Sequence, residues 1–258
     1  MKNNNFVLGI DVGGSKIKII LWDGKEIRKS LILQPPVFAN LQKGIDFFCQ
    51  YISQNNISKS PQNLKIGIAI PGLVRREKTT IVKCANLPFL NGLNLAKRLK
   101  HNYLKIDNDA KCFLRAEMQR GSAKGYKNII GVVLGTGIGG AFSALNIKSK
   151  IENIFSGRDG WAGEFGHMII EKGKSWEKLY QETKQKPKQQ QKINAMAFAN
   201  LINIFNPEVI ILGGRGARMP NKKMISRYLL EPQKQMPKFL QAKLKDNAVA
   251  MGAAMLWD

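Results

Sequence analysis

Apolar residues along this chain alternate between short, nearly continuous runs and helical spacing. The runs, each interrupted by at most one charged residue, cover Phe6–Ile10, Ile17–Trp22, Leu64–Ile70, Tyr103–Ile106, Ile129–Leu134 and Pro207–Leu212. Runs of this length, rich in β-branched residues and stopped by Gly, Asp, Asn or Pro, predict buried strands. Lys25–Leu33 and Ala141–Asn146 are expected as further strands. Between them Leu41, Ile45, Phe48, Cys49 and Ile52 share one helical face, which predicts an amphipathic helix over Leu41–Gln54 after the Pro35-Pro36 break. Other helices are expected at Leu93–His101, from the cap Asp107-Asn108-Asp109-Ala110 to about Arg120, and at Ile193–Phe205 and Asn247–Trp257. Lys222–Lys245 reads as basic helices broken at Glu231-Pro232 and near Pro237. Lys172–Lys192 is Lys/Gln-rich and reads as a solvated loop or helix margin. Strands that alternate with helices make this an α/β protein.

The glycines that end the strands change the picture from fold to chemistry. Ile129–Leu134 runs into Gly135-Thr136-Gly137-Ile138-Gly139-Gly140. Such a loop lets the backbone take positive φ and approach a ligand, and its amides can converge on phosphate. A plain hairpin turn would use the same glycines. Gly135, Gly137 and Gly140 also spell the dinucleotide fingerprint G-x-G-x-x-G. That fingerprint requires a following helix and a later acid at a strand end, whereas here a strand-like run follows and Asp159 lies in a glycine-rich loop.

At the N-terminus Asp11-Val12-Gly13-Gly14-Ser15-Lys16 joins strand to strand. The acid can hold Mg²⁺ through water while the amides and hydroxyl face phosphate oxygens; a simple hairpin turn explains the same residues equally well. Pro71-Gly72 and Gly213-Gly214-Arg215-Gly216 also follow strands, at ends where α/β proteins gather ligands. A further loop places glycines at 157, 160, 163 and 166 around Glu164 and His167.

Composition narrows the class. The 258 residues are 44% hydrophobic and 23% charged, enough for one large domain or two lobes. No apolar run reaches the length of a membrane span and no signal peptide opens the chain, so a cytoplasmic protein is expected. Cys49, Cys84 and Cys112 lack paired spacing and fit reduced thiols. The net charge of +23 would attract polyanions, but the lysines are scattered and no nucleic-acid motif appears. No nucleic-acid partner is expected.

Seven stretches, in order, resemble the ROK family of sugar kinases: Asp11–Lys16, Asn86-Leu87-Pro88, Asn108-Asp109-Ala110, Gly135–Gly140, Gly163-Glu164-Phe165-Gly166-His167, Pro207–Gly214 and Gly252-Ala253-Ala254. The resemblance covers nearly the whole chain. It implies the two-lobed actin-like (ribonuclease H-like) ATPase fold with a cleft between lobes. One lobe would span 1–112, completed by the helix 247–258, and the other 113–246. It also implies ATP and Mg²⁺ as cofactors, a hexose or N-acetylhexosamine substrate phosphorylated at the 6-hydroxyl, and a homodimer.

By the same resemblance Asp109 is the catalytic base, and Asn86, Asn108, Glu164 and His167 grip sugar hydroxyls. Asp11, Gly13, Gly14, Ser15 and Lys16 surround metal and phosphates, with Asp11 nearest the Mg²⁺. Gly135, Thr136 and Gly137 face the phosphates from the other lobe, and Gly213 and Gly214 pass close to the adenosine. Asp109 is also well suited to be a plain helix N-cap.

The chain departs from most relatives after His167. Their zinc-binding C-x-C-G-x-x-G-C cluster is replaced by Met168-Ile169-Ile170-Glu171-Lys172-Gly173-Lys174-Ser175-Trp176-Glu177, so no zinc is expected. Glu177 matches a sugar-binding Glu that relatives place after the cluster, or is a surface helix charge. Short length, basicity and the missing cluster are shared with polyphosphate-dependent glucokinases, but the intact G-x-x-G-x-A-G-E loop favours ATP. A non-catalytic sugar sensor is the other alternative. The sensors of the family carry a helix-turn-helix domain in front, for which five residues before the first strand leave no room.

Overall fold

The computed structural model describes residues 6–34, 37–55, 64–75, 77, 79–143 and 154–258. The chain divides into two compact units, residues 1–116 with 158–160 and 246–258, and residues 117–157 with 161–245.

In the first unit β1 (Val7–Val12) turns back into β2 (Ile17–Trp22), and β3 (Ile27–Leu33) completes an antiparallel meander. Helix α1 (Val37–Gln54) then leads to β4 (Lys65–Ile70), which lies parallel to β1, and β7 (Leu104–Asn108) lies parallel to β4. The sheet order is β3-β2-β1-β4-β7. A small hairpin, β5 (Leu73–Arg75) with β6 (Thr80–Lys83), and the short helix α2 (Leu95–Leu99) sit between β4 and β7. Helix α3 (Asp109–Arg120) follows β7 directly.

The two-residue period of the strands sorts the sheet's faces. Leu8, Ile10 and Val12 of β1, with Ile66, Ile68 and Ile70 of β4, pack into one apolar core with Leu41, Ile45, Phe48 and Ile52 of α1. The opposite face is built from Gly9, Gly67 and Ala69, and the C-terminal helix α8 (Ala248–Ala254) lies on it. A Cβ at Gly9 would overlap the Ala250 carbonyl, and one at Gly67 the Ala253 carbonyl. Small residues on both sides therefore let helix and sheet backbones touch. Gly252 does the same against the Cys112 carbonyl of α3.

In the second unit β8 (Ile129–Leu134) pairs antiparallel with β9 (Ile138–Ser143) and parallel with β12 (Val209–Gly213), and β12 pairs parallel with β13 (Lys238–Gln241). A hairpin followed by parallel neighbours repeats the pattern of the first sheet. A short hairpin, β10 (Ile169–Glu171) with β11 (Lys174–Ser175), leads into α4 (Trp176–Glu182) and α5 (Pro187–Phe205), and α6 (Lys222–Ile225) and α7 (Pro232–Gln235) follow β12. Phe198 of α5 meets Trp176 and Phe239 edge to face, at 5.4 and 5.5 Å between ring centres.

Several expectations are corrected. The segment from Lys172, expected as a solvated loop or helix margin, forms β11, α4 and the exposed first turns of α5, which starts at Pro187 rather than Ile193. The basic stretch after Lys222 holds only short helical turns and then a strand, β13. The strand expected at Ala141–Asn146 begins earlier, at Ile138, and residues 144–146 lie outside the described residues, as do Pro35 and Pro36. The hairpin β5–β6 was not expected at all. Among the described residues no helix is long and apolar enough to cross a membrane.

Candidate functional site

Parallel pairing aligns the carboxyl ends of β1, β4 and β7: Asp11 stands opposite Ala69, Ala69 opposite Asp107, and Ile70 opposite Asn108. One edge of the first sheet therefore carries Asp11 at one position and Asn108-Asp109 two strands away, a spacing of about 10 Å.

Asn108 is half-buried and bonded through both ends of its side-chain amide. Its Oδ1 accepts the amides of Ala110 at 2.9 Å and Lys111 at 3.2 Å, capping α3, and its Nδ2 donates to the Gly72 carbonyl at 3.2 Å. Gly72 in turn presses on residues 83–84, where a Cβ would stand 2.9 Å from the Cys84 Cα. The Cys84 thiol donates to the Pro71 carbonyl at 3.2 Å, and Asn91 Oδ1 accepts the Cys84 amide at 2.7 Å. The exposed Asn86 follows two residues later in this turn. Burial pushes the Cys84 thiol up, and the nearby Asp109 carboxylate adds to the shift. Asn86, Asn108 and Asp109 are thus gathered in one neighbourhood, with Asp109 as the half-buried first residue of α3.

Behind this edge Asp107 is fully buried and pairs with Arg115 at 2.7 Å, while its Oδ1 accepts the Asn108 amide at 2.9 Å. Lys111 is buried too, and its ammonium donates to the Gly160 carbonyl at 2.5 Å. Both groups fix the start of α3, and neither is marked by the motifs in the sequence.

In the β1–β2 turn the Gly13 amide donates to the Lys16 carbonyl at 2.9 Å. Gly14 and Ser15 are exposed, and no atom lies within 4 Å of where a Gly14 Cβ would stand. Asp11 is half-buried. Loss of hydration pushes its carboxyl up to about 6, with Asp246 adding to the rise and Lys16 and Lys18 opposing it. Lys16 meets Asp246 at 3.5 Å, and the Lys18 ammonium donates to the Asp246 carbonyl at 3.1 Å.

In the second unit β8 and β9 are joined by Gly135-Thr136-Gly137. Contrary to expectation, these glycines do not adopt positive φ; of the glycines expected at the nucleotide only Gly214 does, at +87°. Their use is spatial. A Cβ on Gly137 would overlap Glu177 Oε2, whereas beside Gly135 the nearest atom is 4.0 Å away. Gly213 ends β12 in register with Val133, and the Gly216 amide returns to the Leu134 carbonyl at 2.8 Å, so the two glycine loops share one edge of the sheet. Glu164 and His167 are exposed at the ends of a 3₁₀ turn, Phe165–His167, that rests on β9. There a Cβ on Gly163 would come within 2.6 Å of the Gly140 carbonyl. Glu177, expected with the sugar-binding residues, accepts the Ile138 amide at 2.6 Å.

Among the described residues no three His, Cys, Asp or Glu side chains converge as a metal site. A lone carboxylate such as Asp11 suits a hard cation that keeps most of its water, not an all-protein cage.

The model of the ROK family matches residues 7–184 and 174–258. An N-acetyl-D-glucosamine kinase of Vibrio atlanticus is 28% identical over 307 aligned positions, covering 96% of this chain and 98% of the relative. The N-acetylgalactosamine kinase AgaK of a Shewanella species is 32% identical over 172 positions, covering 63% of this chain and 51% of that protein. The solved ROK hexokinase of Thermus thermophilus superposes with a TM-score of 0.75 at 21% identity, covering 97% of each chain. The fold is the actin-like, ribonuclease H-like ATPase fold.

Proposed function

The chain belongs to the ROK family, and on that premise we propose that it transfers the γ-phosphoryl group of ATP to the 6-hydroxyl of an N-acetylhexosamine or related hexose. The observation that carries this reading is the Asn108-Asp109 step, a carboxylate held at a ligand-facing strand end by a capping asparagine anchored to Gly72. Asp109 takes the proton of the attacking hydroxyl, the oxygen bonds the γ-phosphorus, and ADP leaves with the bridging oxygen. Asn86, Asn108, Glu164 and His167 supply donors and acceptors for the sugar's hydroxyls.

The open backbone beside Gly14 and Gly135 gives phosphate oxygens room, and Ser15, Lys16, Gly13, Thr136 and Gly137 complete that surface. Gly213 and Gly214 pass the adenosine. Asp11 would hold Mg²⁺, and the ion would supply charge neutralisation at the phosphates. An N-acetylated sugar is favoured over glucose because the Vibrio and Shewanella relatives are N-acetylhexosamine kinases. Family membership is also our ground for a cytoplasmic homodimer, which size-exclusion chromatography with light scattering would check.

The test is phosphoryl transfer on a panel of N-acetylglucosamine, N-acetylgalactosamine, N-acetylmannosamine, glucose, mannose and fructose, with ATP-Mg²⁺ and polyphosphate as parallel donors. Turnover of an N-acetylated sugar with ATP is expected. Turnover with polyphosphate alone would correct the donor, and sugar binding with no turnover would leave a sensor.

A further inference from the structure

Lys111 stands two residues after Asp109 on α3 and is only 1% exposed. An ammonium taken out of water costs free energy unless good acceptors replace its hydration. Here it reaches a residue 49 positions along the chain and donates to the Gly160 carbonyl at 2.5 Å. Gly160 lies in the loop 157–163, which leads directly to Glu164 and His167. Residues 158–160 belong to the first unit, and a Cβ on Gly160 would stand 3.6 Å from the Val74 carbonyl of β5. Gly72, two residues before Val74, is held by Asn108 at 3.2 Å. The start of α3 therefore grips two connections, one through Asn108 and one through Lys111. The second has little stiffness of its own, since Gly157, Gly160 and Gly163 all take positive φ, at +70°, +85° and +105°.

We propose that Lys111 is a positioning residue for the sugar-binding loop, its ammonium fixing the Gly160 carbonyl and through it the backbone that presents Glu164 and His167. This rests on the reading that those two side chains bind sugar. A charged donor makes a shorter and stronger hydrogen bond than a neutral one. An apolar side chain of similar length would fill the same space without the cost of desolvating a charge, so packing alone does not call for an ammonium here. The acceptor accounts for it: a carbonyl of a glycine-rich loop, tied to the helix that begins with the proposed base. Glu164 follows Gly160 by four residues, so a hold at Gly160 limits where its carboxylate can go. With the bond in place the loop keeps one geometry before sugar arrives, and binding carries a smaller ordering cost. Lys111 acts on the sugar only through this backbone.

The experiment compares the whole chain with Lys111→Met and Lys111→Gln. It reads KM and Kd for N-acetylglucosamine, Kd for a non-hydrolysable ATP analogue, the pH profile of kcat, thermal stability, and hydrogen exchange in the peptide 157–163. Lys111→Met is expected to raise the sugar KM and Kd about tenfold, the loss of one charge-assisted hydrogen bond, and to speed exchange in that peptide. Nucleotide affinity and the pH profile should stay as in the wild type. Lys111→Gln keeps a neutral donor and should lose less sugar affinity, and it serves as the test where the Met variant does not fold. A shifted pH profile with unchanged sugar affinity would overturn the proposal in favour of a direct electrostatic action on Asp109. Lower stability with sugar affinity and loop exchange intact would reduce Lys111 to a structural group. A wild-type chain that binds nucleotide and none of the panel's sugars would overturn the sugar reading itself, a failure distinct from either.

Discussion

Asn108 binds Gly72 across the carboxyl edge of the first sheet, its side-chain N–H on the Gly72 carbonyl at 3.2 Å while its oxygen caps α3. One side chain thereby ties the end of β4 to the start of the helix that carries Asp109. Asn108→Ala removes a cap and a cross-link, each worth about 1 kcal/mol. Chemical denaturation should show the sum as a loss of stability, and kcat/KM should fall further than stability alone accounts for. Asn108→Asp keeps the cap and loses only the donor to Gly72, so it should be the milder change in denaturation.

The buried pair of Asp107 and Arg115 lies directly behind the same edge. Arg115→Met leaves a buried carboxylate without its cation and should cost about 3–5 kcal/mol. The double variant Asp107→Leu, Arg115→Met should recover much of that loss, because the uncompensated charge is gone. A thermal-melt series of the three proteins checks this.

Gly9 and Gly67 let α8 lie against the first sheet, and Gly67→Ala would drive a methyl group into the Ala253 carbonyl. Backbone cannot yield as a flexible side chain does, so a loss of more than about 3 kcal/mol is expected. Gly24→Ala offers the contrast. It has open space but φ of +88°, and its cost should be backbone strain alone, about 1 kcal/mol. Urea midpoints of the two variants would separate close contact from strain.

Asp11 gives the chain a pH signature. Its carboxyl is raised from 3.8 to about 6 by burial, with Asp246 reinforcing and Lys16 and Lys18 opposing the shift. Between about pH 4 and 6 the folded chain retains a proton there that the unfolded chain has released. Stability from this group therefore falls as pH rises through that interval and is fully lost above it. Asp11→Asn should flatten that slope and be relatively more stable at neutral pH. On the proposed role of Asp11 in holding Mg²⁺, protonation would compete with the ion, so apparent Mg²⁺ affinity in the wild type should weaken below about pH 6, checked by activity titrations at several pH values.

Much of this architecture was legible in the chain. Ile129–Leu134 is strand β8 over the same residues, and the β1–β2 hairpin and the cap at Asp107-Asn108-Asp109 stand where their residue types placed them. The failures share a cause, which is that partners distant in sequence decide local structure. Lys186–Lys192 is largely exposed, as its residues suggest, yet Pro187 already starts a helix that Ile193, Phe198 and Leu201 bury further along, and Lys and Gln propagate it without difficulty. Strand β13 buries only Phe239 and exists because β12 offers an unpaired edge. The clustered glycines suggested an open loop, yet Gly139 and Gly140 pair with β8, and Gly140 is a glycine because Phe165 fills the space beside it. The parts of the candidate site most hidden from the sequence are supporting groups: Arg115, Lys111 and the Glu177–Ile138 bond answer to three-dimensional neighbours and carry no local pattern.

The most direct measurement is phosphoryl transfer from ATP-Mg²⁺ to the best sugar of the panel by the wild type and by Asp109→Asn, with sugar affinity measured on both. Loss of a general base should lower kcat by a factor of about 10²–10⁴. Sugar affinity should stay near that of the wild type. An Asp109→Asn variant that turns over at the wild-type rate would contradict the account, since the carboxylate would then be only an acid in the first turn of α3.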